Sequence, residues 1–226
     1  MKIQAVNLTK VYFKGSSHEV VALKDANVEI REREFCLLTG PSGSGKTTFL
    51  SLLGLLTKPS YGKILYNGED ISSYSDAWQT KIRKEKIGFI FQQYNLLPQF
   101  SAWENVALPN VCRDTTTDER RQQAVEVMSR MGLKNRVDFK VAHLSGGEQQ
   151  RVAIARALVT NPDVIFADEP TAAVDEDTAS AIIDAFKELK REGKTIVVST
   201  HDKSLIREGT MHILTQNGTM QVTSRD

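Results

Sequence analysis

The sequence predicts an α/β fold: a mostly parallel sheet core carrying an N-terminal antiparallel β subdomain and an inserted helical subdomain. Three observations predict it. Four short segments, 34–39, 87–91, 163–167 and 195–199, are almost unbroken apolar runs, as expected of strands buried on both faces. Segments with helical periodicity alternate with these runs, which is the order that builds a parallel sheet through crossover helices. Between 95 and 160 the buried-strand pattern disappears and helical spacing takes over.

Each element follows from a local signal. The first 30 residues and the segment 63–71 alternate apolar and polar positions, and Asn67-Gly68 suits a two-residue hairpin, so an antiparallel edge sheet is expected there. The run 34–39 feeds a glycine-rich turn and then an apolar helix over 49–56. In the inserted region, 119–131 places Ala124, Val127, Met128 and Met131 at helical spacing before Gly132. A second apolar helix runs through Val152, Ala155, Leu158 and Val159. Residues 175–192 put Ile182, Ala185, Phe186 and Leu189 on one stripe, end in Lys187, Lys190 and Arg191, and stop at Gly193, as a helix C-terminus should. With 226 residues, the expectation is one domain over 1–226, with the helical subdomain at roughly 95–160.

Composition narrows the function classes. The net charge is +1, with 29 basic and 28 acidic residues, so no bulk field points to nucleic acid as a partner. Cys36 and Cys112 are far apart and lack metal-ligand spacing, which argues against a disulfide framework or a zinc site and suits a reducing compartment. No stretch approaches the roughly 18 apolar residues needed to span a bilayer. Action at a membrane would therefore need another chain to hold this one there.

Chemistry enters at Gly40, Pro41, Ser42, Gly43, Ser44, Gly45, Lys46 and Thr47, followed by Thr48, between an apolar strand and an apolar helix. This fits the phosphate-loop pattern in its proper context. Glycines let backbone N–H groups turn toward phosphate oxygens, the helix offers its positive end, Lys46 adds a full charge, and the Thr47 hydroxyl suits Mg²⁺. Downstream, the run ending at Ala167 delivers Asp168 and Glu169 to a strand end, where a carboxylate can hold Mg²⁺ through its water shell. Because strand neighbours point to opposite faces, one of the two is expected to face the metal and the other to polarise water as general base. Leu144 to Arg151 holds a third signal. Ser145 and Glu148 form a capping box, while Gly146 and Gly147 leave N–H groups bare at a helix start, suiting a second anion site.

Across essentially the whole chain, these motifs in this order resemble the nucleotide-binding domain of ABC transporters, whose core is of the P-loop NTPase, RecA-like type. The resemblance implies ATP and Mg²⁺ as cofactors. It implies that Tyr12 stacks on adenine, that Lys46 and Thr47 hold phosphates and metal, and that Gln92 senses metal and γ-phosphate. Ser145 and Gly147 would reach the ATP of a partner copy, Asp168 would order Mg²⁺, Glu169 would be the base, Asp175 would belong to a dimer-spanning loop, and His201 would contact the γ-phosphate. Tyr12, Gln92 and His201, each alone, also fit ordinary structural roles. The stretch Gly88 to Pro98 and Glu104-Asn105-Val106 resemble the branch of lipoprotein-releasing, macrolide-efflux, haem-export and cell-division ATPases (LolD, MacB and FtsE types).

Expected partners are a second copy, as a head-to-tail homodimer with two competent sites, and a transmembrane permease on a separate chain, with a periplasmic adaptor as a further candidate. The expected location is the cytoplasmic face of the plasma membrane. The alternative is an FtsE-like ATPase that regulates an extracytoplasmic process without moving a substrate. Tyr94, Leu96, Leu97 and Phe100 suit either a docking face for the permease or packing within the lobe. Two segments depart from the branch pattern: Ala172-Ala173-Val174-Asp175, with Ala and Val where Gly and Leu are usual, and Arg31 to Glu34, which lacks the usual glycine.

Overall fold

The computed structural model describes residues 1–172 and 174–225. Ala173, in the departing loop, lies outside them. Elements in chain order are β1 (Ile3–Tyr12), β2 (Val20–Ile30), β3 (Phe35–Thr39), α1 (Lys46–Leu53), β4 (Tyr61–Tyr66), β5 (Glu69–Asp70), α2 (Asp76–Lys86) and β6 (Ile87–Ile90). There follow α3 (Ala102–Ala107), α4 (Thr117–Arg130), α5 (Gly146–Leu158), β7 (Val164–Asp168), α6 (Glu176–Arg191), β8 (Thr195–Ser199), α7 (Lys203–Ile206), β9 (Met211–Gln216) and β10 (Thr219–Arg225).

Two sheets result. One is antiparallel, in the order β2-β1-β4-β5; the other has the order β10-β9-β3-β8-β7-β6 and is parallel apart from β10. The parallel strands are buried on both faces because alternate residues enter two different cores. Cys36 and Leu38 of β3, Val164 and Phe166 of β7 and Val197 of β8 join the antiparallel sheet and α1 in one apolar cluster. Phe35 and Leu37, Ile165 and Ala167, and Ile196 and Val198 join α5, α6 and the α3–α4 region in the other. The period of two in side-chain direction thus explains why these strands read as unbroken apolar runs.

Asn67 and Gly68 take φ 51 and 89 at the β4–β5 turn, the left-handed pair that a two-residue hairpin requires. No strand lies between β6 and β7 among the described residues, where α3, α4 and α5 are found. Two features had no clear sequence signal. Helix α2 presents only Gln79 as a buried residue, so it has no apolar stripe to reveal it. The β9–β10 hairpin alternates on a half-exposed edge. The turn at Arg31 to Glu34, lacking a glycine, places Arg33 at φ 61, with its N–H donated to Thr195 Oγ1 at 3.0 Å.

Candidate functional site

The loop after β3 and the C-terminal ends of β6, β7 and β8 open on a cleft of about 940 Å³, within the size range of small-molecule sites. Lining it are Ser42 to Thr48, Gln92, Asp168, Glu169 and His201. Seven α-helices are described, and six have an N-cap side chain that accepts a backbone N–H: Ser75, Ser101, Thr116, Ser145, Asp175 and Asp202. Helix α1 differs: its N-cap is Gly45 at φ 108, with no side-chain cap. Its first N–H groups lack intrahelical acceptors by construction, and here no side chain competes with an anion for them. Glycine is required at that cap by space as well, since a Cβ would lie 2.5 Å from the Ala22 carbonyl oxygen.

Lys46 is 7% exposed. Its ammonium donates to the carbonyls of Gly40 at 2.7 Å and Pro41 at 3.1 Å, so it is held across the loop. Thr47 Oγ1 donates to Asp168 Oδ2 at 2.7 Å, and Ser199 Oγ donates to Asp168 Oδ1 at 2.5 Å. A hydroxyl paired with a buried carboxylate beside the loop is an all-oxygen donor set, which suits a hard divalent cation that keeps most of its water and phosphate ligands. Thr47 and Asp168 therefore fit Mg²⁺, and Gln92 lines the same cleft.

Glu169 departs from the strand-alternation expectation. Strand β7 ends at Asp168, and Glu169 stands beyond it at φ 47. A left-handed turn, rather than the pleat, aims its side chain. Such a conformation in a non-glycine residue stores strain and persists only where neighbours hold it. Here the Glu169 N–H donates to the Ser199 carbonyl at 3.0 Å and to Ser199 Oγ at 3.1 Å. His201 Nε2 lies 3.3 Å from Glu169 Oε1 and 3.3 Å from Lys46 Nζ, joining the two.

Ser145, Gly147, Asp175 and Tyr12 do not line this cleft. Ser145 completes the capping box of α5: the Glu148 N–H donates to Ser145 Oγ at 3.3 Å, and the Ser145 N–H to Glu148 Oε2 at 2.9 Å. That backbone bond and the Arg136 guanidinium, 2.6 Å from Oε1, hold the Glu148 carboxyl below its usual range. Gly147 has a packing reason besides its bare N–H, because a Cβ there would sit 2.7 Å from Thr178 Oγ1 of α6. Asp175 caps α6 by accepting the Thr178 N–H at 2.9 Å. Tyr12 pairs with Val20 across the first sheet, and the Lys10 ammonium lies 5.1 Å from its ring centroid.

Sequence reading missed Val20, Val21, Ala22, Asn217, Gly218 and Ser199. All but Ser199 line the cleft. Ser199 alone had a legible signal, a polar residue ending an apolar strand; the others are brought in by the hairpin and the first sheet.

The profile of the ABC transporter family matches residues 23–172. An ABC transporter ATP-binding protein of Thermotoga maritima is 42% identical over 223 residues, covering 99% of this chain and 95% of that one. The lipoprotein-releasing system ATP-binding protein LolD 1 of Caulobacter vibrioides is 38% identical over 226 residues, covering 99% and 96%. Among solved structures, a dimeric post-hydrolysis state of an ATP-binding cassette from Methanocaldococcus jannaschii, bound to ADP and Pi, superposes with a TM-score of 0.90 at 41% identity, covering 97% of this chain and 98% of that one.

Proposed function

The chain belongs to the ABC transporter family and is an ATPase, and from that premise we propose that it is the motor of a transporter whose permease is a separate chain, docked at the cytoplasmic face of the plasma membrane. No helix among the described residues is long and apolar enough to cross a membrane, which suits peripheral attachment. The reading takes 1–226 as one ATP-binding domain with a helical lobe at about 95–160.

In this reading the loop backbone from Ser42 to Thr48 and the α1 N-terminus bind the phosphates, and the Lys46 ammonium neutralises charge on them. Thr47, Gln92 and Asp168 hold Mg²⁺, which supplies further charge neutralisation when bound. Glu169 takes the proton from the attacking water, and His201 keeps Glu169 in register with Lys46 and the γ-phosphate. Ser145 and Gly147, which do not line the cleft of their own subunit, close over ATP held by a second copy. The dimeric relative bound to ADP and Pi supports that arrangement. ATP then favours a closed dimer and hydrolysis reopens it. Lipoprotein release or export is the class of work favoured by the LolD relative, which covers almost the whole chain.

The observation that carries the reading is the position of His201 Nε2, 3.3 Å from both Lys46 Nζ and Glu169 Oε1 at the edge of one cleft. Glu169→Gln is expected to lower turnover by roughly 10²- to 10⁴-fold, the usual contribution of a positioned base, while accumulating an ATP-bound dimer on size-exclusion chromatography. Turnover close to that of the parent would defeat the assignment.

A further inference from the structure

On the β9 side of the cleft stands a polar side chain that none of the motifs uses. Asn217 stands at the tip of the β9–β10 hairpin, where Asn217 and Gly218 take φ 48 and 75, as in a type I′ turn. That tip is fastened on both sides. The Gly218 N–H donates to the Ser44 carbonyl at 3.0 Å, and the Gly218 carbonyl accepts the Lys24 N–H at 2.8 Å. A Cβ on Gly45 would lie 3.7 Å from Gly218 Cα, so the phosphate loop, the start of β2 and the hairpin tip touch one another. The turn is a wall of the cleft, and Asn217 is exposed within it.

Sheet order decides which part of a nucleotide would meet that wall. Strand β3, which carries the phosphate loop, has β8, β7 and β6 on one side and β9 on the other. His201, Glu169 and Gln92 follow β8, β7 and β6, so the reacting phosphate belongs on that side. A nucleotide laid along the loop must then direct its sugar and base toward β9 and the start of β2. There the cleft is lined by Val20, Val21 and Ala22, and by Asn217. The three aliphatic residues offer contact area without hydrogen-bonding capacity. Among these four, only the Asn217 carboxamide, both donor and acceptor, can read polar edges.

We propose that Asn217 is a nucleoside-recognition residue, hydrogen-bonding the ribose or base of bound ATP, and that the Gly218–Ser44 bond keeps this contact in register with the phosphate loop. The proposal rests on the reading of the cleft as the ATP site. It differs from the aromatic stacking implied for Tyr12, which lies outside the cleft lining.

The test is N217G in the full chain, because glycine accepts both left-handed positions of the turn and removes only the carboxamide. Isothermal titration would compare ATP with inorganic tripolyphosphate, which has the phosphates and no nucleoside. Loss of one hydrogen bond is expected to weaken ATP about 3- to 10-fold, with tripolyphosphate affinity unchanged and Tm lowered by no more than a few degrees through the added freedom of glycine in the unfolded chain. Parent-like ATP affinity in N217G overturns the proposal. So does a parallel loss for ATP and tripolyphosphate, which would make the turn a scaffold for the loop alone. If the parent chain binds neither ligand, the ATP-site reading itself fails.

Discussion

Residues in left-handed conformation separate strain that serves a site from strain that does not. Half of the non-glycine examples among the described residues are Asn, whose short side chain tolerates that region: Asn7, Asn67, Asn95, Asn161 and Asn217. Glu169 and Arg33, like Phe13 and Leu55, instead carry a larger side chain at positive φ. At Glu169 the strain aims a carboxylate into the cleft. At Arg33 it turns a surface corner that glycine would turn without a Cβ penalty of about 1–2 kcal/mol. Part of that gain is lost to the greater freedom of glycine in the unfolded chain, about 0.4–1 kcal/mol. Arg33→Gly should therefore stabilise the protein by about 0.5–1 kcal/mol, seen as a rise in Tm of roughly 1–4 °C for a chain of this size. An unchanged or lower Tm would show that the Arg33 side chain contributes more than its backbone strain costs. The missing glycine was visible in the sequence; that Glu169 leaves its strand by a left-handed turn was not, because single-residue φ is set by neighbours such as Ser199.

Among the elements, the approach of α5 to α6 depends on a glycine. Gly147 allows α5 to approach Thr178, one turn into a helix capped by Asp175. A Gly147→Ala methyl would sit 2.7 Å from Thr178 Oγ1, an overlap that forces one helix to shift and costs on the order of 1–3 kcal/mol. Urea unfolding should show that loss, and Thr178→Ala in the same chain should restore most of it, because the remaining neighbour, Thr178 Cβ, is at 3.4 Å. No recovery in the double variant would point to a role for Gly147 unrelated to packing. Helices and strands with a strong apolar period were legible in advance. The α6 stripe is one case, with Ile182, Phe186 and Leu189 buried as expected. Helix α2 was not, because it is tied down at its end by Arg83 donating to the Leu55 carbonyl at 2.7 Å rather than by an apolar face.

At the scale of the whole molecule, the two apolar clusters meet through the parallel strands, and the lobe hangs on one of them. The segment after Gln92 is bound into that lobe. Arg156 of α5 donates to the carbonyls of Tyr94 at 2.7 Å and Asn95 at 2.6 Å, and Asn105 accepts the Leu97 N–H at 2.7 Å. Leu96 packs against the lobe core, whereas Leu97 and Phe100 stay 37% and 40% exposed. Packing within the lobe thus accounts for Leu96, while Leu97 and Phe100 keep the exposure that docking would require. Leu97→Asp should leave ATP affinity and Tm of the isolated chain intact, yet abolish the response of its ATPase rate to the copurified permease. Unfolding of the isolated variant would assign Leu97 to the core and remove it from the proposed docking face. The phosphate loop and the Asp168-Glu169 pair could be proposed from sequence because their chemistry needs particular residue types at a strand end, whereas His201 came only with the family resemblance. The wall formed by Val20 to Ala22 and Asn217 could not, because it is assembled from β2 and a C-terminal hairpin nearly 200 residues apart in the chain.

Helix α1 begins without a capping side chain, unlike the six other described α-helices. Any compact oxyanion can take up those N–H groups, and whatever binds the folded form alone stabilises it by mass action. Sulfate or phosphate in a purification buffer is then a silent competitor as well as a stabiliser. Two laboratories working in chloride and in phosphate would measure different melting points and different apparent nucleotide affinities from the same polypeptide.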